Sequence, residues 1–306
     1  MKKILSKILC AFSFFVVLVT PAMAWPTKPL TIVLPSTPGA ALDQIARGVQ
    51  SKLTEALGVP VIIIYKPGAD GKIGTKFVVQ SDDDHTILLI HGQITVNTLL
   101  EPVGDHTLDK LTAVNIVAVS PSIVTTASNS KIKDPKQMLA MVNLLSGAAG
   151  GTISEVLIKA ANPKWTYIPY KGGVPLFVDL MANHIDIGTN STMGSYTHIT
   201  NGKLRPLMVF SKNRLSQLPD VPTSYELGIP LSGEVWFGFM APANMSPVRI
   251  NKLSKAIISA TKDNAEFTNR LTNQGATVLS LTPGESELYV RQDLLNLTKI
   301  YRTTDK

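Results

Sequence analysis

Apolar and polar positions divide the chain into short runs of two kinds. Leu30, Thr31, Ile32, Val33 and Leu34 are five consecutive apolar or β-branched residues, the pattern of a buried strand. Pro35 ends that run, and Ser36-Thr37-Pro38-Gly39 is turn chemistry. Apolar residues then recur at Leu42, Ile45, Ala46, Val49, Leu53, Ala56 and Leu57, a one-sided stripe that predicts an amphipathic helix. Gly58 follows in the C′ position and predicts where that helix stops. A strand that enters a helix through a tight turn leaves N–H groups unpaired at the helix start, at the positive end of its dipole. Residues 30–49 therefore predict a seat for an anion.

The alternation continues along the chain. Residues 59–65 (VPVIIIY) read as a continuous apolar strand of a parallel sheet covered on both faces. Residues 66–74 (KPGADGKIG) form a glycine-rich turn into a short helix over 75–80, followed by a strand over 86–90 and a helix through 96–100. Residues 114–127 are rich in β-branched positions and predict two short strands. Asp134-Pro135 is an N-cap followed by a first-turn proline. A second small-residue turn over 146–152 (SGAAGGT) precedes a helix over 153–161. Strands over 165–169, 185–188 and 204–210 accompany a helix over 174–182; residues 218–230 are irregular and proline-rich. A strand over 235–240 leads into three helices over 247–262, 265–274 and 283–300. The fold class is α/β with a mostly parallel sheet. The strand–turn–helix device occurs twice, at 30–49 and near 142–160. Two α/β lobes facing a shared cleft explain that duplication, and so does one continuous doubly wound sheet.

The first 24 residues follow different rules. Lys2, Lys3 and Lys7 precede an apolar run over 8–19 and an Ala22-Met23-Ala24 cleavage pattern, which together read as a secretory signal peptide. The run is short for a membrane span. Cys10, the single cysteine, lies inside it behind the bulky Ile8-Leu9, unlike a lipoprotein attachment site. A mature chain beginning near Trp25 would have no disulfide, thiol nucleophile or cysteine metal ligand. Removing the three leader lysines from the 29 Lys+Arg leaves 26 against 22 Asp+Glu, a formal excess of +4. That excess is spread without basic clusters, so no nucleic-acid partner is expected.

Catalytic patterns are missing. There is no G-x-S-x-G elbow and no Walker A loop, and Gly68, Gly71 and Gly74 are spaced as turn glycines, unlike a dinucleotide fingerprint. Ser128–Lys131 matches S-x-x-K without the companion K-T-G. The histidines at 85, 91, 106, 184 and 198 lack metal-binding spacing and read as surface or structural, and Asp82-Asp83-Asp84 reads as a solvated turn. No catalytic residue, metal or cofactor is expected.

Several motifs, in order along the chain, do carry a resemblance. PSTPGAALD from Pro35 resembles P-F-x-x-G-G-x-x-D, and KPGADGKIG from Lys66 resembles R-P-G-A-G-G-N-I-G. Tyr170-Lys171-Gly172-Gly173-Val174-Pro175 resembles Y-K-G-x-x-P, NGKLRPL from Asn201 resembles S-G-K-L-R-A-L, and LPDVPTSYELG from Leu218 resembles L-P-D-V-P-T-x-x-E-x-G. With Trp25-Pro26-Thr27-Lys28-Pro29 at the start, the chain resembles the periplasmic substrate-binding proteins of tripartite tricarboxylate transporters, the TctC or Bug family. The resemblance implies a two-lobed class II periplasmic binding protein fold with a ligand cleft between the lobes. Lobe one would comprise 25–125 and 236–306 and lobe two 126–235. The implied protein is a monomeric periplasmic receptor, not an enzyme, that binds a small di- or tricarboxylate or related acidic metabolite. It would pass its ligand to the membrane permease subunits of such a transporter. A receptor serving a sensor protein and an exported α/β enzyme stand as alternatives.

Residue by residue, the resemblance assigns Ser36, Thr37, Gly39 and Ala40 to the first binding turn, with backbone N–H groups as donors. Asp43 either accepts a hydrogen bond at the ligand or caps the first helical turn. Gly151 and Thr152 represent the second turn. Tyr170 and Asn190 lie at strand ends facing the cleft, Tyr170 equally readable as packing, and Gln93 follows the third strand. Departures from the family pattern concentrate here: Ala40 for a glycine, Ser36 for an aromatic, Tyr65 for an asparagine, and Glu155 for a frequent histidine. Either a remodelled pocket or ordinary drift accounts for them.

Overall fold

The computed structural model of the chain describes residues 25–81, 83–149 and 152–304. The signal peptide expected over 1–24, with Cys10, lies outside them. In chain order the elements are β1 (Leu30–Leu34), α1 (Ala41–Leu57), β2 (Val61–Tyr65), α2 (Lys72–Val79), β3 (Thr86–His91), α3 (Gln93–Leu100), β4 (Leu111–Ala127) and α4 (Pro135–Ala140). There follow β5 (Leu145–Ala149), α5 (Thr152–Ala161), β6 (Thr166–Tyr170), α6 (Gly173–Met181), β7 (Ile187–Ser191), α7 (Thr192–Thr200) and β8 (Leu204–Val209). The chain closes with β9 (Glu234–Pro242), α8 (Pro247–Thr261), α9 (Ala265–Asn273), β10 (Thr277–Val278) and α10 (Pro283–Thr304).

All the strands join one mixed sheet of order β2-β1-β3-β9-β4-β7-β5-β6, with β8 and β10 also paired to β4. Its pivot is β4. Residues 111–121 of this strand pair antiparallel with β9, whereas 122–127 pair with β7 and β8. Two short strands are predicted here and one 17-residue strand is found. Ser120-Pro121-Ser122 sits where β4 changes partners. Pro121, which has no N–H to donate, falls opposite Glu234, the first residue of β9.

Burial follows the alternation of side chains. In β1, Leu30, Ile32 and Leu34 enter a core built with α1 and α8, while Val33 enters a second core on the opposite face. Both faces are covered, which is why the run is continuously apolar. Around β5–β8, separate clusters gather about Ile187, Leu207 and Phe210 and about Leu176 and Leu180. β2 differs from expectation: it is the sheet's edge, and Ile62 remains 45% exposed. An apolar run specifies a strand without specifying that a neighbour covers it. On α1 the predicted stripe is buried except Ala56, which faces solvent. Among the described residues, no helix is long and apolar enough to cross a membrane.

Candidate functional site

A cavity of about 220 Å³ opens between the two halves of the sheet. Helix starts converge on it. Ala40, Ala41 and Leu42 bring the start of α1, Gly71 precedes α2, Gln93 opens α3, Gly172 and Gly173 open α6, and Ser191 precedes α7. The N-cap positions of α1, α2, α3 and α6 carry no side-chain cap. With Ala40 unable to cap, the first-turn N–H groups of Ala41 and Leu42 keep no intrahelical partner and remain available to a ligand. Partial positive charge thus gathers from several directions around one small space.

The turn before α1 is held from below. Gly39 has a φ of +83°, which L side chains rarely adopt, and its N–H donates to Asp43 Oδ2 at 2.8 Å. Asp43 Oδ1 accepts from Arg47 Nε at 2.8 Å and from the Tyr65 hydroxyl at 2.7 Å, and Arg47 also donates to that hydroxyl. Asp43 is 5% exposed and stands outside the cavity lining, so it ties the turn to α1 and β2. Tyr65, where the family pattern has asparagine, completes this clamp. Replacing Asp43 with Ala is expected to cost about 2–3 kcal/mol, because a buried charge-assisted network and the Gly39 N–H lose their acceptor. Melting curves check this, a fall of roughly 5–10 °C being expected. Affinity should weaken in the same preparation as the turn loosens.

Of the residues singled out from sequence, Ser36, Gly39, Ala40, Gln93, Tyr170 and Asn190 come together around the cavity. Thr37 does not line it, and its hydroxyl is buried with no partner among the described residues. Gly151 lies outside the described residues, and Thr152 is placed only as the first residue of α5. β5 continues to Ala149, so residues 146–149 of the turn expected over 146–152 are strand. The Tyr170 hydroxyl donates to Asp179 Oδ2 at 2.7 Å, and burial first, then that bond, push its pKa up to about 12. Tyr170 therefore presents its ring to the cavity and commits its hydroxyl elsewhere. Asn190 Oδ1 accepts from the Ser191 N–H at 2.8 Å. Its Nδ2 lies so close to Gly173 and Gly194 that a Cβ at either position would stand 2.7 or 3.0 Å from it. Glycine at 173 lets the start of α6 close over the amide.

Sequence reasoning missed the rings. His91, Phe177, His198 and Phe237 also line the cavity, the Phe177 and His198 centroids 4.6 Å apart. His91 and His198, read from the sequence as surface or structural, thus both stand on the cavity wall. Burial lowers the His91 pKa to about 4, and burial followed by Lys203 lowers that of His198. His91 Nδ1 accepts from the Gln93 N–H at 3.3 Å, so the neutral ring carries its hydrogen on Nε2. The exposed Lys171 stands at the mouth.

A histidine whose folded pKa lies below its unfolded value is protonated first in the unfolded chain. Stability should therefore fall as pH drops from about 6.5 to about 4, then stop falling on this account. His91→Gln is expected to flatten that limb, leaving the smaller contribution of His198. Urea denaturation at neutral pH and near pH 5 checks it; an unchanged slope would contradict a neutral His91 ring.

The description "Tripartite tricarboxylate transporter family receptor" belongs to the family model that matches residues 45–298. BugT of Bordetella pertussis is 27% identical over 299 residues, covering 92% of this chain and 91% of BugT. The solved periplasmic binding protein BugD is 25% identical with a TM-score of 0.82, covering 91% of this chain and 98% of BugD. MatC of Rhodopseudomonas palustris, solved with bound malate, shares the fold at a TM-score of 0.83 and 24% identity, covering 90% of this chain and 99% of MatC. Motif order, the two-lobed architecture of these neighbours and a family match over most of the chain agree. The chain belongs to the tripartite tricarboxylate transporter receptor family, periplasmic solute-binding proteins of the TctC and Bug type.

Proposed function

We propose that the cavity takes the carboxylate end of a small organic acid and holds it chiefly on helix N-terminal N–H groups. The convergence of helix starts on one cavity of about 220 Å³, with those of α1 and α6 uncapped, carries this reading. Charge-assisted hydrogen bonds to a carboxylate are worth roughly 1.5–3 kcal/mol each. A few of them, less ordering and desolvation, account for micromolar binding at about −8 kcal/mol. MatC, a protein of the same fold, was solved with a carboxylate.

The lobes are residues 25–125 with 236–306, and 126–235, and they close about β4 and β9. The change of partners within β4, at residues 121 and 122, supports a crossing between lobes in this strand. The ligand is released unaltered, and the closed form is presented to the membrane permease subunits of a tripartite transporter. Residues 1–24 direct export and are removed. Calorimetry with succinate against succinamide and benzoate against benzamide tests the binding step. Acids are expected to bind at least a hundredfold more tightly than their amides and to be recovered intact. Equal binding of an amide, or chemical conversion of a bound acid, would overturn the reading.

A further inference from the structure

Gln93 lines the cavity and holds a buried, unanswered acceptor. The residue is 3% exposed, and its Oε1 has no partner among the described residues. The orientation of its amide follows from a chain that starts at a backbone carbonyl. Asp70 C=O can only accept, so Asn97 must direct Nδ2 to it, as it does at 2.9 Å. Asn97 Oδ1 then faces Gln93 and accepts from Gln93 Nε2 at 3.0 Å. Flipping Gln93 would set two oxygens against each other, so Oε1 is held on the side away from Asn97. Two adjacent donors are engaged: Asn97 Nδ2 on Asp70, and the Gln93 N–H on His91 Nδ1. A buried carbonyl oxygen fixed in this way without a donor costs free energy until one arrives.

We infer that Gln93 is a specificity-determining residue, its Oε1 accepting a hydrogen bond from an O–H or N–H group of the ligand. The ligand class is then a small carboxylate that also bears a hydroxyl or amino group, in preference to the same acid without one. This rests on the carboxylate reading above and narrows it. Carboxylates are acceptors only, so backbone N–H groups can hold the acid end but cannot satisfy Gln93. The unpartnered hydroxyl of Ser36, 6% exposed and also on the cavity wall, can donate to the acid end or accept from the same ligand group. A site built around a ligand donor rejects the analogue that lacks it, because the acceptor is then left dry. A resident water is the competing partner for Oε1; it would serve every complex alike and erase the preference.

Calorimetry on the purified protein with matched acids tests this: malate against succinate, glutamate against glutarate, and salicylate against benzoate. The tightest binder is expected to carry the donor and to bind at least tenfold better than its parent acid. In Gln93→Met, which keeps the length of the side chain and removes the acceptor, that gap should shrink below threefold. Should the variant melt far below the wild type, the matched pairs on the wild type decide alone. Parent acids binding as tightly as their hydroxy or amino partners would overturn the inference and leave the carboxylate reading standing, as would a gap that survives in Gln93→Met. Failure of every acid in a panel where the amides bind would remove the carboxylate reading itself, and this inference with it.

Discussion

Gly39→Val is expected to raise the ligand Kd more than a hundredfold in a protein that remains folded. The Cβ position at Gly39 meets no heavy atom within 4 Å, so the substitution creates no clash. Its effect comes from the backbone: a φ of +83° is open to glycine and strained for a β-branched side chain by at least about 1–2 kcal/mol. The turn can relieve that strain by rotating Gly39 toward negative φ. Rotation pulls its N–H from Asp43 and carries the following residues, including the N–H groups of Ala41 and Leu42, out of convergence on the cavity. Global stability should fall by only a few degrees, because the cores under β1 and α1 do not depend on the turn. Titration and melting on one preparation separate the two effects. Gly39→Ala should show a smaller loss of binding, and unchanged affinity in Gly39→Val would mean that the turn does not hold the ligand.

How far the chain could be read depends on which physical signal each element leaves. The β1–turn–α1 unit was legible because an apolar run, a proline stop and a 3.6-residue stripe agree. Asp134 was legible as a cap, and its side chain does accept from the Gln137 N–H. α7 was not foreseen: Thr192–Thr200 has almost no apolar stripe and begins instead on the Ser191 side chain, which accepts from the Gly194 N–H. The unity of β4 was hidden by Pro121, since local chemistry cannot show that a strand changes partners there. For the site, turn residues announced themselves, whereas Asn97, which orients Gln93, acts through a contact with residue 70 that no local pattern encodes. The rings missed on the cavity wall come from β3, β9, α6 and α7, brought together by topology alone.

Asn190→Asp should remove binding at neutral pH, by about a thousandfold, while barely altering the fold. The two side chains have the same shape, and a carboxylate oxygen accepts from the Ser191 N–H as the amide oxygen does at 2.8 Å. The space beside Gly173 and Gly194 is equally filled. What changes is charge: an anion replaces the Nδ2 donor on the wall of a cavity that gathers helix N-termini. Two like charges about 4 Å apart at an effective dielectric near 20 repel by roughly 4 kcal/mol, nearly three powers of ten in Kd. Asn190→Leu removes the donor without adding charge and should cost only about tenfold. Titrating both variants with the same acid distinguishes a site for anions from a site for acceptors. Equal losses would mean that Asn190 contributes a hydrogen bond and that the cavity is indifferent to charge. The converging helix starts would then be architectural, and the ligand would be sought among neutral molecules.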